Sequence, residues 1–208
     1  MSRLAASLML LGVASSAAAA PPGPAVPGRD DVGALRDYAQ CLADRHSRQV
    51  AGVLQAEAGS RSYRDRLKAL VERDYDCGRT GRLGFDDVLL VGNLAEALLP
   101  TALGGASLSR ATAFDPARRP LAAHDEGEYL GLCAVRTAPD EAAALFASRP
   151  LSQQETSALQ SLAPHLGPCL KAGAKAKFNT PGLRATIAVA AYRLVQQNKV
   201  AAVAANGN

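Results

Sequence analysis

Apolar residues along this chain recur three and four positions apart, and strict alternation of apolar with polar residues is absent. The pattern therefore predicts helices. Leu35, Tyr38 and Leu42 mark a first one; Val50, Val53 and Leu54 a second, ended by Ala58-Gly59; Tyr63, Leu67, Leu70 and Val71 a third. A fourth opens at Asp86-Asp87 and carries Val88, Leu89, Val91, Leu94 and Leu98 up to Pro100. Further along the same order returns, from Tyr129 to Val135, Asp140 to Ala147, Gln153 to Ala163 and Pro181 to Gln197. The fold class that follows is all-α.

The ends of these segments have their own chemistry. Ser152 followed by Glu155 forms a capping box, the hydroxyl accepting from the first free amides and the carboxylate reaching back to the cap. Ser60 suits the same role without the carboxylate. Thr180 places a capping oxygen beside Pro181, whose missing N–H costs nothing at a first helical position, and Asp87 is its counterpart earlier in the chain.

The recurrence of elements is matched by recurrence of residues. Cys41 and Cys77 are separated by 36 positions, Cys133 and Cys169 by 36, and the second pair follows the first at an offset of 92, from 41 to 133 and from 77 to 169. Leu67 falls on Leu159, Leu70 on Leu162 and Ser60 on Ser152 at that offset, and Phe85 falls on Phe178 after a one-residue insertion. The chain reads as a tandem duplication. The expected organisation is two related units, residues 29–99 and 128–198, of about four helices each, joined by a linker at 100–127 and followed by a flexible tail at 199–208. Phe114, inside the linker, is expected to pack onto one of the units. The last helix of each unit, Leu89 to Leu99 and Ile187 to Val195, is apolar around much of its circumference, which marks a buried central element. The two are expected to pack against each other across the relation between the units. A groove that accepts another protein's helix is the functional alternative.

Compartment enters through the N-terminus. Arg3 precedes an apolar stretch from Leu4 to Val13, then Ser15, Ser16 and a run of alanines, the composition of a secretory signal peptide. Ala17-x-Ala19 supplies the small residues, so residues 1–19 are expected to be removed between Ala19 and Ala20. The apolar core is shorter than the ~20 residues that span a bilayer. Residues 20–28, APPGPAVPG, form a Pro/Gly-rich leader with too little apolar surface to fold. The expected mature chain is exported, periplasmic or secreted, without a membrane span.

Charge changes the picture little. Without Arg3 there remain 22 of the 23 basic residues against 19 acidic ones, a near balance, with Lys171, Lys175 and Lys177 tilting the second unit basic. A nucleic-acid footprint normally interleaves basic residues with stacking aromatics. Here only Phe178 adjoins the lysines and there is no tryptophan, so no nucleic-acid partner is expected.

Four cysteines in an exported chain point to disulfides, and four allow three connectivities. The duplication favours Cys41–Cys77 with Cys133–Cys169, because an ancestral single unit had to satisfy its own two thiols. The other two pairings join the units.

The segments YAQCLADRHSRQVAGVL, SYRDRLKALVERDYDC and LGFDDVLLVGNLAEALL, returning in weaker form as LGLCAVRTAPDEAAALF, TSALQSLAPHLGPCL and FNTPGLRATIAVAAYRL, resemble a group of bacterial secreted proteins with a duplicated helical two-cysteine unit. The resemblance covers nearly all of the mature chain. It implies the architecture and carries no activity, ligand or catalytic residue.

Candidates for chemistry are few. His46 follows Cys41 by five positions and His165 precedes Cys169 by four, spacings that place two metal-capable side chains near each other in each unit. The histidines fall at non-equivalent positions, and exported cysteines serve better as disulfides, so no metal or cofactor is expected. No G-x-S-x-G elbow appears, and Ser60 and Ser152 are accounted for as caps. Asp86-Asp87 and Asp125-Glu126 are adjacent carboxylates whose side chains diverge, a poor geometry for flanking a glycosidic bond. Gly78, Gly81 and Gly84 lack the preceding strand of a dinucleotide site and read as a turn after Cys77. The expectation is a non-enzymatic interaction or binding protein of the cell envelope, with another envelope protein as partner. The alternative is an envelope hydrolase using acids or His46 in the cleft between the units.

Overall fold

The helical period is realised in most of the residues described by the computed structural model, 29–73, 77, 86–116, 120–170 and 178–206, among which no strand occurs. The signal and leader stretches, the turn at Gly78–Gly84 and the lysines at 171, 175 and 177 lie outside the described residues.

Helix α1 (Arg29–Gln55) bends at His46, whose backbone leaves the helical region with φ −130° and ψ 35°. The two expected helices are thus both present and meet at His46 without an intervening loop. It buries Leu35, Tyr38 and Leu42 before the bend and Val50, Val53 and Leu54 after it. Helix α2 (Arg61–Arg73) starts where the Tyr63 N–H donates to the Ser60 hydroxyl at 3.1 Å. Helix α3 (Asp87–Leu103) is capped by Asp86, one residue earlier than expected. The Asp86 carboxylate accepts from the Val88 N–H, while Asp87 lies in the first turn, where its charge favours the helix start. The same shift occurs at α8 (Thr180–Asn206). There the Asn179 side-chain oxygen accepts the Gly182 N–H at 2.8 Å, and Thr180 is already helical, in keeping with the higher capping rank of Asn over Thr.

Helix α3 passes through Pro100 to Leu103, because burial of Leu98, Leu99 and Ala102 outweighs the lost donor. It ends at Gly104, left-handed at φ 58°, whose N–H donates to the Pro100 carbonyl. Gly105 is also left-handed at φ 86°, and the chain turns into the short helix α4 (Leu108–Ala111). Leu108 takes the buried place in this connection. Phe114, expected to pack, is 72% exposed. Helix α5 (Glu126–Thr137) begins at the Asp125 cap and α6 (Pro139–Ala147) follows it after Ala138. Helix α7 (Gln153–Leu166) leads into a 3-10 turn, Gly167–Cys169. Helix α8 continues to Asn206, through most of the stretch expected as a tail, since alanine-rich sequence without glycine or proline sustains a helix.

Helix α8 lies at the centre, against α3 and α5, and α1 covers α3. Small residues permit that closeness. A Cβ added to Gly92 on α3 would collide with Cα and Cβ of Ala185 on α8, and one added to Gly131 on α5 would sit 2.8 Å from the Thr186 carbonyl. The apolar helices α3 and α8 do pack on each other at the core, with Leu94, Ala95, Ile187, Ala188 and Ala191 fully buried. Two disulfides complete the frame, Cys41–Cys77 from α1 to the segment beyond α2 and Cys133–Cys169 from α5 to the 3-10 turn, with Cα separations of 5.7 and 5.6 Å. No described helix is long and apolar enough to cross a membrane.

Candidate functional site

A charged cluster sits inside this apolar frame. Arg184, in the second turn of α8, is 5% exposed. Its Nε donates to Glu96 Oε2 at 2.8 Å and its Nη2 to Glu96 Oε1 at 2.6 Å, a bidentate pair across the α3–α8 contact. Its Nη1 donates to Glu155 Oε1 of α7 at 2.8 Å and to the Ser148 hydroxyl at 3.2 Å. The remaining Nη2 proton reaches the Ser148 carbonyl at 3.0 Å, with the Phe146 carbonyl at 3.4 Å. All five guanidinium protons are therefore used. The two carbonyls belong to the end of α6, so Arg184 also closes the unpaired, negative end of that helix. Burial alone disfavours the Arg184 charge, but the hydrogen bonds and charges of Glu96 and Glu155 outweigh it and raise its pKa above the ordinary arginine value.

Glu155 explains a difference from the expected capping box. Ser152 Oγ accepts the Glu155 N–H at 3.2 Å, as the motif requires. The Glu155 carboxylate reaches one residue further back, accepting the Leu151 N–H at 2.7 Å with Oε2 while Oε1 holds Arg184. That bond supports Leu151 in the left-handed region at φ 56°, unusual for a branched residue. The buried carboxylates are thus engaged as acceptors within the fold.

Beside the cluster opens a cleft of about 470 Å³. One wall is α1, through Arg36 and Gln40; another is α3, through Glu96, Leu99 and Leu103. The remaining walls are α6, through Asp140 and Phe146, and the turn into α4, through Leu108. Arg36 Nη2 lies 3.3 Å from Glu96 Oε1, and its side chain is 42% exposed. A second cleft of about 280 Å³ lies between the far end of α1, α3, α5 and α8, lined by Leu54, Val88, Phe178 and Val189. Its polar edge is an ion pair between Glu128 and Arg193, and the other Glu128 oxygen accepts from the His124 backbone N–H at 2.8 Å and lies 2.9 Å from its Nδ1.

The residues singled out in the sequence lie elsewhere. Asp86 and Asp125 are helix caps, the latter accepting the Glu128 N–H at 2.7 Å, while Asp87 and Glu126 lie in first turns. Asp125 alone among them borders a cleft, the smaller one. His46 occupies the bend of α1 and lines neither cleft, and His165 Nε2 lies 3.9 Å from Glu141. All four cysteine sulfurs are bonded to one another, which removes the thiolates a zinc site beside these histidines would need. Among the described residues, no group of three metal-capable side chains is brought together. The residues missed were Arg184, Glu96 and Arg36. The only local signal was a charged residue inside the apolar stretch of α3 and of α8, and it did not say that the two meet. No family model, curated protein or solved structure matches this chain.

Proposed function

We propose that this chain is an exported, non-enzymatic binding protein of the cell envelope, built of two tandem related units, whose binding site is the cleft walled by α1, α3, α4 and α6. The observation that carries the reading is the cleft itself. Its volume of about 470 Å³ lies in the range of small-ligand sites, and its walls combine leucine, alanine and Phe146 with a few polar groups. Its neighbours Glu96 and Glu155 are held by Arg184, which favours binding over acid–base chemistry.

Several backbone coincidences support the tandem arrangement. His46 and Ala138, at the sequence offset of 92, both leave helical geometry (φ −130° and −142°). At the same offset α1 ends at Gln55 and α6 at Ala147, while α2 starts at Arg61 and α7 at Gln153. After the one-residue insertion, Gly92 corresponds to Ala185, and these are the residues in closest approach between α3 and α8. Two related helices crossing at equivalent residues is what an internal two-fold relation requires. The two clefts correspond as well, Arg36, Asn93, Glu96 and Phe146 of one aligning with Glu128, Thr186, Val189 and Leu54 of the other.

The binding reading is tested with a neutral, environment-sensitive apolar dye such as Nile red. Saturable fluorescence that is lost in Leu103→Arg and retained in Val71→Arg, a substitution at an exposed residue outside both clefts, is the expected result. Absence of saturable binding overturns it. Export is tested by N-terminal sequencing of the mature chain, which should begin at Ala20.

A further inference from the structure

We propose that the ligand of this cleft is a single-chain anionic amphiphile, a carboxylate head joined to a hydrocarbon tail, with the head on Arg36; this rests on the binding reading above. Glu96 is shared by two guanidinium groups, and Arg184 already meets both of its oxygens. Arg36 adds a single contact to Glu96, at 3.3 Å, and supplies the second positive charge of a cluster in which Arg184 alone faces two carboxylates, Glu96 and Glu155. It is also the more exposed of the two arginines, 42% against 6% at the side chain. Arg36 can therefore stay on Glu96 while its remaining N–H groups meet an incoming carboxylate, so binding does not require it to abandon a buried charge.

The surroundings orient the ligand. Arg36 also borders an adjoining cleft of about 430 Å³ that contributes a second cation, Arg149, together with Asp37. From the Arg36 end, the apolar side chains Leu99, Leu103, Leu108 and Phe146 continue along the larger cleft and suit a hydrocarbon chain. Asp140, exposed in the first turn of α6, stands on the α6 wall and disfavours an anionic head there. The two arginines at one end, Arg36 and Arg149, and Asp140 on the α6 wall thus set the polarity of the occupant.

The test is displacement of bound Nile red from the full mature chain by dodecanoate, dodecanol and dodecylammonium, each below its micellar concentration. Dodecanoate should displace at a concentration about tenfold lower than either analogue, the worth of one charge-assisted hydrogen bond. Arg36→Gln should abolish that preference while dye binding persists, Arg36→Lys should restore part of it, and Asp140→Asn should not weaken it. Equal displacement by dodecanol or dodecylammonium, or an unchanged preference in Arg36→Gln, overturns the ligand class and leaves the cleft as a neutral apolar site. Failure of the dye to bind at all overturns the binding reading itself. Cosedimentation with phosphatidylglycerol vesicles, without displacement by free dodecanoate, would move the anion to a lipid surface and overturn the single-chain occupant. Melting curves of each variant establish that it is folded.

Discussion

Arg184 is a charge that only its partners make tolerable. Removing it leaves Glu96 and Glu155 facing each other in an apolar interior, and loss of one member of a buried ion pair costs about 3–5 kcal/mol. Arg184→Met should lower the urea midpoint accordingly, whereas the combined replacement of Arg184, Glu96 and Glu155 by apolar residues of similar size should recover much of the loss. Tyr63 gives a second test at the residue scale. Burial, then the charges of Asp87 and Asp86, push its pKa from 10.0 up to about 12. Between those values the unfolded chain has lost the phenolic proton and the folded one has kept it, so stability is complete below pH 10 and falls as pH rises towards 12. The full decrement is about 3 kcal/mol. The difference in stability between wild type and Tyr63→Phe, followed from pH 9 to 11, should shrink as the wild type alone titrates. Neither feature was legible in the sequence. Glu96, Glu155 and Arg184 stand on three different helices, and no local pattern states that they meet. What could be read was Glu155 as a capping residue, half of its role.

At the scale of elements the sequence was far more transparent, because helix period and cap chemistry are local. The two segments of α1, the Ser60 and Ser152 caps and the position of α7 follow from it directly. The differences fall where packing overrides local preference: α3 runs through Pro100, and α8 runs on through residues 199–206. The close approach of α3 and α8 is a property of pairs of elements and sets a sharp contrast. Gly92→Ala places a methyl group into Ala185 and should destabilise by about 1–3 kcal/mol. Gly33→Ala, with nothing within 4 Å of the new methyl group, should stabilise by about 0.5–1 kcal/mol through helix propensity. If both changes act alike in thermal denaturation, the crossing is looser than described.

For the whole molecule, spacing alone indicated the disulfides, because a repeated separation of 36 residues is a statement about chain connectivity. Each closes a loop whose loss should cost roughly 4 kcal/mol on the chain-entropy model. A Cys41→Ser, Cys77→Ser double variant should keep a helical circular-dichroism spectrum and melt at a markedly lower temperature. Dependence of the two halves on each other was legible only as the expected packing of their last helices, not as a shared charge cluster. Glu96 comes from one half, Arg184, Glu155 and Ser148 from the other, and the apolar core continues across the same contact. Unfolding by urea should therefore be a single transition with both disulfides intact, and residues 29–99 expressed alone should remain unfolded; two separate transitions would show independent domains.

The left-handed pair Gly104-Gly105 carries a consequence for stoichiometry. At the aligned place near its end α8 continues as straight helix, whereas α3 stops and doubles into α4, so only one of the two corresponding clefts acquires the wall that contains Leu108. The other is smaller and has the Glu128–Arg193 ion pair at its edge. On the two-fold plan and the binding reading proposed above, one receptor pocket remains, and titration should end at one ligand per molecule.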